Sequence, residues 1–402
     1  MKVLFLTLVN IEAFNIQGIY TDLLRTFRNK AHKVTVVCPR ERRTGLETVL
    51  FDKEDIQFLC IKTGNITQTS FLEKGIMTAF MPWLFIRAIK KYLKTETFDL
   101  ILYSTPPVTF EKVIQYVSTP NNIKYLLLKD IWPQGLVDLE VFKNRGILYR
   151  YFKKKEERLY QISDYIGCMS EANVTYITEH NSFVDYHKVE ICPNSIIPKC
   201  VEIDQNRVQS LRKKYNLPMD KILFIYGGNL GKPQGIDHIM SCLQICADCK
   251  NAYFVIVGSG TEFDRLKQFL EEQRFKNVQL LYQLPKEDYD LLVNSCDIGL
   301  IFLDHRFTIP NFPSRVLSYM QASMPVVACT DPKTDIGKTI EKKRFGYWCE
   351  SDDAKQFRKI IDQICHNKEA LDILGKNARV CLEQNYSVDQ SYEIIMKHLA
   401  ER

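Results

Sequence analysis

Short apolar runs alternate with amphipathic, helix-type segments along most of the chain. In the second half these runs cover residues 221–226, 252–257, 278–282 and 296–303. Each has the length and composition of a buried strand, and helix-type patterns lie between them. Strands that alternate with helices predict a parallel sheet, and ligands of such sheets bind at the carboxyl ends of the strands.

The first half of the chain shows the same alternation. Apolar runs predict strands at Lys2–Val9, Lys33–Cys38, Leu100–Ser104, Tyr125–Lys129, Tyr165–Met169 and Val189–Cys192. A linker is expected near 196–202, and the last pattern, Val388 to Leu399, is an amphipathic helix. We therefore predict two α/β domains, at residues 1–200 and 201–386, followed by a terminal helical segment at 387–402.

Bulk composition agrees with a soluble two-domain protein. The chain has 402 residues, of which 46% are hydrophobic and 25% charged, as in ordinary globular proteins. Its 13 cysteines are an odd number and are scattered, which predicts a reduced, cytoplasmic chain. The apolar start Met1–Val9 is short and fits a first strand better than a signal peptide.

Two glycine-rich loops follow predicted strands. The first is GGNLGKPQG at 227–235, with Lys232 as a mobile positive charge, and the second is Gly258-Ser-Gly260. Glycines let the backbone approach a ligand closely, and a helix that follows offers its N-terminus to an anion. The first loop is not a P-loop, because no Gly-Lys-Ser/Thr sequence occurs at the required spacing. An ordinary strand-to-helix turn remains the alternative.

The stretch from Thr308 to Ala328 predicts a turn, a short helix and a buried strand after Pro325. Ser314 is predicted to be the helix N-cap, with its side chain holding a free backbone N–H. Arg315 would then stand at the positive end of the helix, where an anion is favoured. A loop with an arginine at its rim suits a diphosphate, although an ordinary capped helix gives the same pattern.

Taken together, these segments resemble the family 4 retaining glycosyltransferases of the GT-B fold. The matching features are GGNLGKPQG, the GSG turn, Leu284-Pro285 and FPSRVLSYMQASMPVVA. The similarity is to the bacterial branch that builds capsule, O-antigen and exopolysaccharide units. It implies two Rossmann-like domains facing across a cleft, with residues 387–402 packing back on the first domain.

The resemblance implies a hexosyl-type transfer from a nucleotide diphosphate sugar, UDP-linked, to a lipid-linked saccharide, with retention and without a metal or other cofactor. Lys232 and Arg315 would stabilise the diphosphate. The residues expected to bind the donor are Gly228, Asn229, Lys232, Gly258, Gly260, Leu284, Ser314, Arg315, Leu317 and Ser318.

Three segments of the first half resemble the acceptor side of the family. The loop Asn15-Ile-Gln-Gly18 follows the first strand, Asp130-Ile-Trp-Pro133 follows a later one, and Pro193-Asn194 precedes the linker. Asn15 and Gly18 are expected to face the acceptor. Asp130 is a candidate catalytic residue that would orient or deprotonate an acceptor hydroxyl. The alternative is that it only caps a turn before Trp132.

The chain also departs from the wider family. Two glutamates that contact the donor sugar and ribose are replaced by Pro310 and Ser318, and an Arg and a Lys of the glycine loop by Asn229 and Gln234. Two other functions therefore stay open, a nucleotide-sugar 2-epimerase and a non-catalytic nucleotide-sugar-binding subunit. A dinucleotide dehydrogenase is disfavoured, because no G-x-G-x-x-G follows the first strand.

Cys242, Cys246 and Cys249 have the C-x3-C-x2-C spacing of an iron–sulfur cluster motif. They fall, however, within a helical pattern whose apolar face includes Ile239 and Leu243. Buried cysteines behave as small hydrophobic residues. We therefore favour packing over cluster binding.

All excess positive charge lies in the first half. Residues 1–200 hold 27 Lys and Arg against 21 Asp and Glu, a net of +6, whereas the remainder is neutral. Segments 75–94 and 143–158 combine aromatic and basic residues. They predict peripheral contact with an anionic membrane at its cytoplasmic face. Packed amphipathic helices are the alternative, and no motif for nucleic acid occurs.

Overall fold

The computed structural model describes residues 1–12, 17–67, 71–199 and 204–400. The chain forms two compact units. Unit 1 comprises Met1–Ile197 and Val388–Arg402, and unit 2 comprises Pro198–Ser387. The chain therefore returns to the first unit at its end.

Unit 1 is built on an eight-stranded sheet with the order β3-β4-β2-β1-β5-β6-β7-β8. The strands are β1 (Lys2–Leu6), β2 (Lys33–Glu41), β3 (Val49–Lys53), β4 (Ile56–Thr63), β5 (Leu100–Ser104), β6 (Ile123–Leu128), β7 (Tyr165–Cys168) and β8 (Val189–Ile191). Neighbouring strands are parallel except for β3, which runs antiparallel to β4. The central strands are buried, as expected of a sheet covered on both faces.

The helices of unit 1 connect these strands. They are α1 (Ile19–Asn29), α2 (Phe71–Tyr92), α3 (Glu111–Val117), α4 (Gln134–Asp138), α5 (Ile147–Ile162) and α6 (Glu171–His180). The 3-10 turn Val108–Phe110 leads directly into α3.

Unit 2 is built on a six-stranded parallel sheet with the order β11-β10-β9-β12-β13-β14. Its strands are β9 (Ile222–Asn229), β10 (Ala252–Ser259), β11 (Val278–Tyr282), β12 (Ile298–Phe302), β13 (Val326–Thr330) and β14 (Gly346–Glu350). Its helices are α7 (Gln205–Lys214), α8 (Ile236–Ile245), α9 (Phe263–Gln273), α10 (Lys286–Asn294), α11 (Arg315–Gln321), α12 (Ile336–Lys343), α13 (Ala354–His366) and α14 (Ala370–Asn385). A 3-10 turn, Lys232–Gln234, precedes α8.

The last helix, α15 (Val388–Ala400), packs on unit 1. Val388 and Ile395 are part of the hydrophobic core beneath the unit 1 sheet. The ring of Tyr392 meets Phe27 edge-on at 4.9 Å, and its hydroxyl lies 2.8 Å from His32 Nε2. An amphipathic helix of this kind buries its apolar face against the hydrophobic core of the unit on which it packs.

The α/β class and the parallel sheets are as predicted, whereas several details differ. β1 ends at Leu6 rather than Val9, and β9 and β10 extend two or three residues into the predicted glycine loops. The strands β3, β4 and β14 were not predicted. β3 and β14 are short and largely half-exposed, so they lack the continuous apolar run of a buried strand.

The three cysteines with cluster-like spacing lie in the core of unit 2. Cys242 and Cys246 are completely buried and Cys249 is nearly so, among side chains of α8, β9 and β10. They serve there as small hydrophobic residues.

Candidate functional site

The carboxyl edge of the unit 2 sheet has a switch point at β9. From β9 the chain moves through α8 to β10 on one side, and later returns to place β12 on the other side. Connections therefore leave β9 and β12 in opposite directions, so their carboxyl ends form a topological switch point. Open α/β sheets bind ligands at such a point.

Glycines at this edge are required by close contact between the loops after β9 and β10. A Cβ atom on Gly258 would lie 1.9 Å from the carbonyl oxygen of Gly228, and one on Gly260 would lie 2.2 Å from that of Leu230. The backbone N–H of Leu230 also donates to Ser259 O at 2.8 Å. These glycines therefore join two loops, in addition to any role beside a ligand.

Arg315 is the first residue of α11 and reaches back to the end of β9. Its Nη1 donates to the carbonyl oxygen of Gly227 at 3.0 Å. Its guanidinium carbon lies 4.4 Å from the ring centre of Tyr226, in a cation–π contact. The side chain is half-buried. The guanidinium is thus held in place at the switch point, with donors remaining for an anion.

Two tyrosines that sequence reasoning missed surround this guanidinium. Tyr226 lies on β9, and its hydroxyl donates to the carbonyl oxygen of Asn229 at 2.6 Å. Tyr289 lies on α10, and its hydroxyl group is close to Gly227. A Cβ atom on Gly227 would lie 1.9 Å from that hydroxyl oxygen. Burial raises the pKa of Tyr289 to about 12, and the charge of Arg315 opposes that rise. Both tyrosines therefore remain neutral beside the arginine. The sequence signal for Tyr226 was only an aromatic residue at the end of a predicted strand, and Tyr289 lies on a helix, where the sequence carried no signal.

Ser314 occupies the N-cap position of α11, as predicted, but the predicted side-chain cap is wrong. The residue has helical dihedral angles, φ −63° and ψ −18°, and its side chain makes no capping hydrogen bond. An N-cap side chain reaches the helix N–H groups from an extended backbone, which this residue lacks. Its side chain is exposed.

Two further predicted donor residues lie on α11. Leu317 is buried in the core and Ser318 is half-buried. Leu284, after β11, is also half-buried, and Pro285 follows it at the start of α10.

The glycine loop itself carries one exposed cation. Lys232 begins the 3-10 turn after β9, and its side chain extends into solvent. Asn229 Nδ2 donates to Gln234 Oε1 at 3.0 Å, and the backbone N–H of Gly231 donates to the same oxygen at 3.2 Å. The amide side chains of Asn229 and Gln234 are therefore bonded to each other, and they fix the loop.

The loop after β12 packs against the glycine loop. The N–H of Asp304 donates to Pro233 O at 3.0 Å, and the carboxylate of Asp304 pairs with Arg306 through Nε at 2.9 Å and Nη2 at 2.8 Å. A Cβ on Gly235, whose φ is +61°, would lie 3.2 Å from the Cα of Asp304. The backbone that leads to Pro310 is thereby anchored beside the glycine loop.

In unit 1, Asp130 follows β6 at the carboxyl edge of the sheet. Its N–H donates to Thr105 Oγ1 at 3.2 Å, and that hydroxyl donates to the carbonyl oxygen of Asp130 at 3.0 Å. Burial raises the pKa of the Asp130 carboxyl to about 6, opposed by a hydrogen bond from the backbone of Ile131. A carboxyl with such a pKa can exchange a proton near neutral pH.

Gly18 and Tyr20 mark the start of α1 on the same edge. Gly18 is the N-cap, in an extended conformation, and its carbonyl oxygen accepts from Thr21 Oγ1 at 3.1 Å. Burial raises the pKa of Tyr20 to about 12; a hydrogen bond from Ser104 lowers it, and the nearby charge of Asp130 raises it. Asn15, the other predicted acceptor residue, lies outside the described residues.

Within the described ranges, no group of three or more His, Cys, Asp or Glu side chains is arranged to hold a metal ion.

Comparison with known proteins places this geometry in context. Residues 208–380 match the family described as glycosyl transferases group 1. The chain is 25% identical over 360 residues to a "Probable glycosyltransferase WbjE" of Pseudomonas aeruginosa, covering 88% of this chain and 86% of that protein. It is also 25% identical over 137 residues, 33% of each chain, to the "Putative colanic acid biosynthesis glycosyl transferase WcaI" of Escherichia coli K12.

Among solved structures, that of Anabaena Alr3699/HepE in complex with UDP and glucose superposes on this chain with a TM-score of 0.73. The match covers 100% of both chains at 15% sequence identity. Structural neighbours of this kind show that the fold is GT-B. The chain therefore has a GT-B fold, and its residues 208–380 match the glycosyl transferases group 1.

Proposed function

We propose, from the group 1 glycosyl transferase domain at residues 208–380, that the protein moves a sugar from a nucleotide diphosphate sugar to a hydroxyl group of a lipid-linked saccharide. The observation that carries this proposal is Arg315. Its guanidinium is oriented by Gly227 O and the ring of Tyr226 at the switch point of the sheet. That is the position in which a fixed cation would meet a diphosphate.

The chemistry would be electrostatic. When the glycosidic bond breaks, the leaving nucleoside diphosphate gains negative charge, which Arg315 and Lys232 would stabilise. Arg315 is held by its contacts in one orientation, so it would not need to reorient in the transition state. Lys232 is exposed, and its side chain could move to contact a bound donor. The two cations would take the place that a metal ion holds in other transferases.

Retention of anomeric configuration follows, in this proposal, from attack on the same face as the leaving group. The acceptor hydroxyl would lose its proton either to the leaving phosphate or to Asp130. The pKa of Asp130, about 6, suits it to accept a proton at neutral pH. The absence of carboxylates at Pro310 and Ser318 is consistent with a mechanism that does not use a carboxylate beside the donor sugar.

We propose UDP as the donor nucleotide and surface polysaccharide synthesis as the setting. The first is supported by the structure of Alr3699/HepE in complex with UDP and glucose, whose fold this chain shares. The second is supported by the similarity to WcaI, which is named for colanic acid biosynthesis. The acceptor would then be a lipid-linked saccharide of the capsule or O-antigen type.

Thermal unfolding with a panel of UDP-, GDP- and ADP-sugars tests the donor. A ligand at 100 times its Kd stabilises the native state by about 2.7 kcal/mol, which is readily measured as a higher Tm. We expect UDP-sugars to raise the Tm of the wild type and not of Arg315→Ala. An equal response to all three nucleotides, or none, would contradict the proposal.

One structural feature favours a second candidate, a non-catalytic nucleotide-sugar-binding subunit. Asn229 and Gln234 bind each other where the wider family has two cations, so the loop offers less charge to a leaving diphosphate. Product analysis with the stabilising UDP-sugar separates the candidates. Release of UDP with transfer to an acceptor supports the enzyme, and binding with no turnover supports the subunit.

A further inference from the structure

Two helices of unit 1 leave large apolar side chains in solvent. Phe80 and Trp83 on α2 are 58% and 56% exposed. Ile147, Leu148 and Tyr151 on α5 are 88%, 59% and 44% exposed. We call these five side chains the apolar patch. Single exposed apolar residues are ordinary, but a group of five on two neighbouring helices indicates a binding surface.

The apolar patch is what remains after each helix has buried its other face. Phe85 of α2 is completely buried, with its ring 4.8 Å from that of Phe110. Phe152 of α5 is also buried, with its ring 4.4 Å from that of Trp132. Segments 75–94 and 143–158 were predicted to contact a membrane. This prediction is wrong for Phe85 and Phe152, because both side chains are buried within the protein. Phe80 and Trp83 stand three residues apart, on the opposite side of α2.

The two parts of the patch are neighbours, because both helices pack against residues 108–117. Thr109 Oγ1 donates to the carbonyl oxygen of Thr78 on α2 at 3.4 Å. Two residues further, the carboxylate of Glu111 forms an ion pair with Lys155 on α5. Phe80 follows Thr78 by two residues, and Tyr151 precedes Lys155 by one helical turn. The exposed side chains of α2 and α5 thus lie on adjoining surface.

Basic side chains lie on the same two helices and in the segment just before α5. Those that are exposed are Arg87, Lys90, Lys91, Lys94, Lys143, Arg145, Arg150 and Lys154. The sequence contains no Asp or Glu between residues 74 and 95 or between 141 and 155. Lys153 and Lys155 do not add to this charge, because they pair with the buried carboxylates of Glu156 and Glu111. These two helices therefore expose apolar and positively charged side chains together, with no acidic residue in the same stretches of sequence.

We propose that this surface binds the headgroup region of an anionic lipid bilayer. The basic residues would be attracted by anionic headgroups, and the five apolar side chains would enter the layer between headgroups and acyl chains. Trp and Tyr are the side chains favoured at that depth. A nucleic acid would match the charge and leave Ile147 and Leu148 in water. No described helix is long and apolar enough to cross a bilayer, so the contact would be peripheral.

Vesicle sedimentation of the full chain tests this inference. We expect binding to phosphatidylcholine vesicles that contain 30% phosphatidylglycerol at low salt, and little binding to pure phosphatidylcholine. Binding should weaken in 0.5 M salt, because screening shortens the reach of the basic residues. Bound protein should also show a blue shift in tryptophan emission that Trp83→Leu abolishes. Protein that stays in the supernatant with anionic vesicles at low salt would overturn the proposal.

Matched variants separate the two contributions. The pair Lys90→Glu and Lys91→Glu should lower the partition coefficient by about tenfold or more, since each basic residue near an anionic surface strengthens binding several-fold. The same exchange at Lys250 and Lys276, which are exposed on unit 2, should change nothing. Ile147→Ser with Leu148→Ser should weaken binding even at low salt, whereas Ile373→Ser, at a 63% exposed position, should not.

Light scattering tests whether a second copy of the chain occupies the patch instead. If the wild type dimerises, and if Ile147→Ser with Leu148→Ser abolishes the dimer while vesicle binding is unchanged, the patch is a protein interface and the membrane assignment is wrong. The inference is independent of the proposed reaction, because vesicle binding is measured without donor or acceptor. Transfer to a water-soluble acceptor, measured separately, tests the reaction alone.

Discussion

The guanidinium of Arg315 donates a hydrogen bond of 3.0 Å to the carbonyl oxygen of Gly227, across 88 positions of sequence. The first residue of α11 is thereby tied to the end of β9. With Tyr226 beneath the guanidinium at 4.4 Å, the arginine has little freedom to reorient. A cation held in this way stabilises developing charge without reorganisation during the reaction, which is the source of most electrostatic catalysis.

Removing either donor-side cation should reduce transfer strongly. We expect Arg315→Ala and Lys232→Ala each to lower kcat/KM by about 100-fold or more. Each removes a positive charge that would stabilise the leaving diphosphate. Arg315→Lys should fall between, since lysine keeps the charge and loses the fork that reaches Gly227 O. Steady-state kinetics, with urea unfolding to show intact folding, make the measurement.

Exposed residues of the same type provide the control. Arg207→Ala and Lys276→Ala remove positive charges from exposed positions of unit 2 away from β9 and α11, and they should leave the rate unchanged. Wild-type rates in both Arg315→Ala and Lys232→Ala would show that these residues do not bind the diphosphate.

Gly228→Ala should impair donor binding through Arg315. Gly228 has φ +135°, and a Cβ there would lie 3.2 Å from Nη2 of Arg315. The substitution therefore strains the backbone and displaces the guanidinium, and we expect a rise in donor Kd of about tenfold with a loss of about 1–3 kcal/mol in stability.

Gly45→Ala is the matched variant, because Gly45 has φ +69° and no atom within 4 Å of the added Cβ. It should lose about 1 kcal/mol of stability and leave donor affinity unchanged. Isothermal titration with the donor and thermal unfolding distinguish the two. Equal affinities for all three proteins would exclude the displacement of Arg315.

The pH dependence of transfer should reveal Asp130. If its carboxylate accepts the acceptor proton, kcat/KM should rise tenfold per pH unit at low pH and level off above an apparent pKa near 6. Asp130→Asn should lower the plateau by about 100-fold and remove this inflection. Asp220→Asn, at an exposed carboxylate, should keep the profile. An unchanged rate in Asp130→Asn would leave the leaving phosphate as the proton acceptor.

Ionisation of Asp130 should lower the free energy of unfolding, whereas ionisation of an ordinary ion-paired carboxylate raises it. Burial raises its pKa from 3.8 to about 6, so the folded state resists its ionisation. The resulting destabilisation is absent below about pH 4 and complete above about pH 6. Asp130→Asn should therefore become more stable than the wild type as the pH rises through this window, by up to about 3 kcal/mol. Urea unfolding at pH 4 and pH 7.5 gives the comparison.

Transfer should survive chelation of divalent metals. In the proposed reaction, Arg315 and Lys232 would provide the positive charge that a metal ion could otherwise supply to the diphosphate. We expect rates within about twofold of the untreated enzyme after dialysis against EDTA, a margin small against the tenfold or greater effects of removing a catalytic group. An activity that is lost with EDTA and restored by Mg²⁺ or Mn²⁺ would show that the two cations are insufficient.

The sequence by itself determined the class of fold and the position of the glycine loops. Buried strands such as β9 and β10 are continuous apolar runs, and the glycines follow them directly, so local pattern was enough. β3 failed this test because an antiparallel edge strand that is half in solvent needs no apolar run. The same local signal marked Arg315 as the first residue of a helix.

Only the tertiary structure decided which side chains those elements leave available. Trp83 and Phe85 are both aromatic residues of the same helical segment. Phe85 is covered by Phe110, whereas Trp83 is exposed to solvent. Lys154 and Lys155 are adjacent in the chain, yet Glu111 neutralises only Lys155. Arg315 gained its orientation from Gly227, far away in sequence. Exposure, pairing and orientation depend on neighbours that the folded chain brings together, and no window of local sequence contains them.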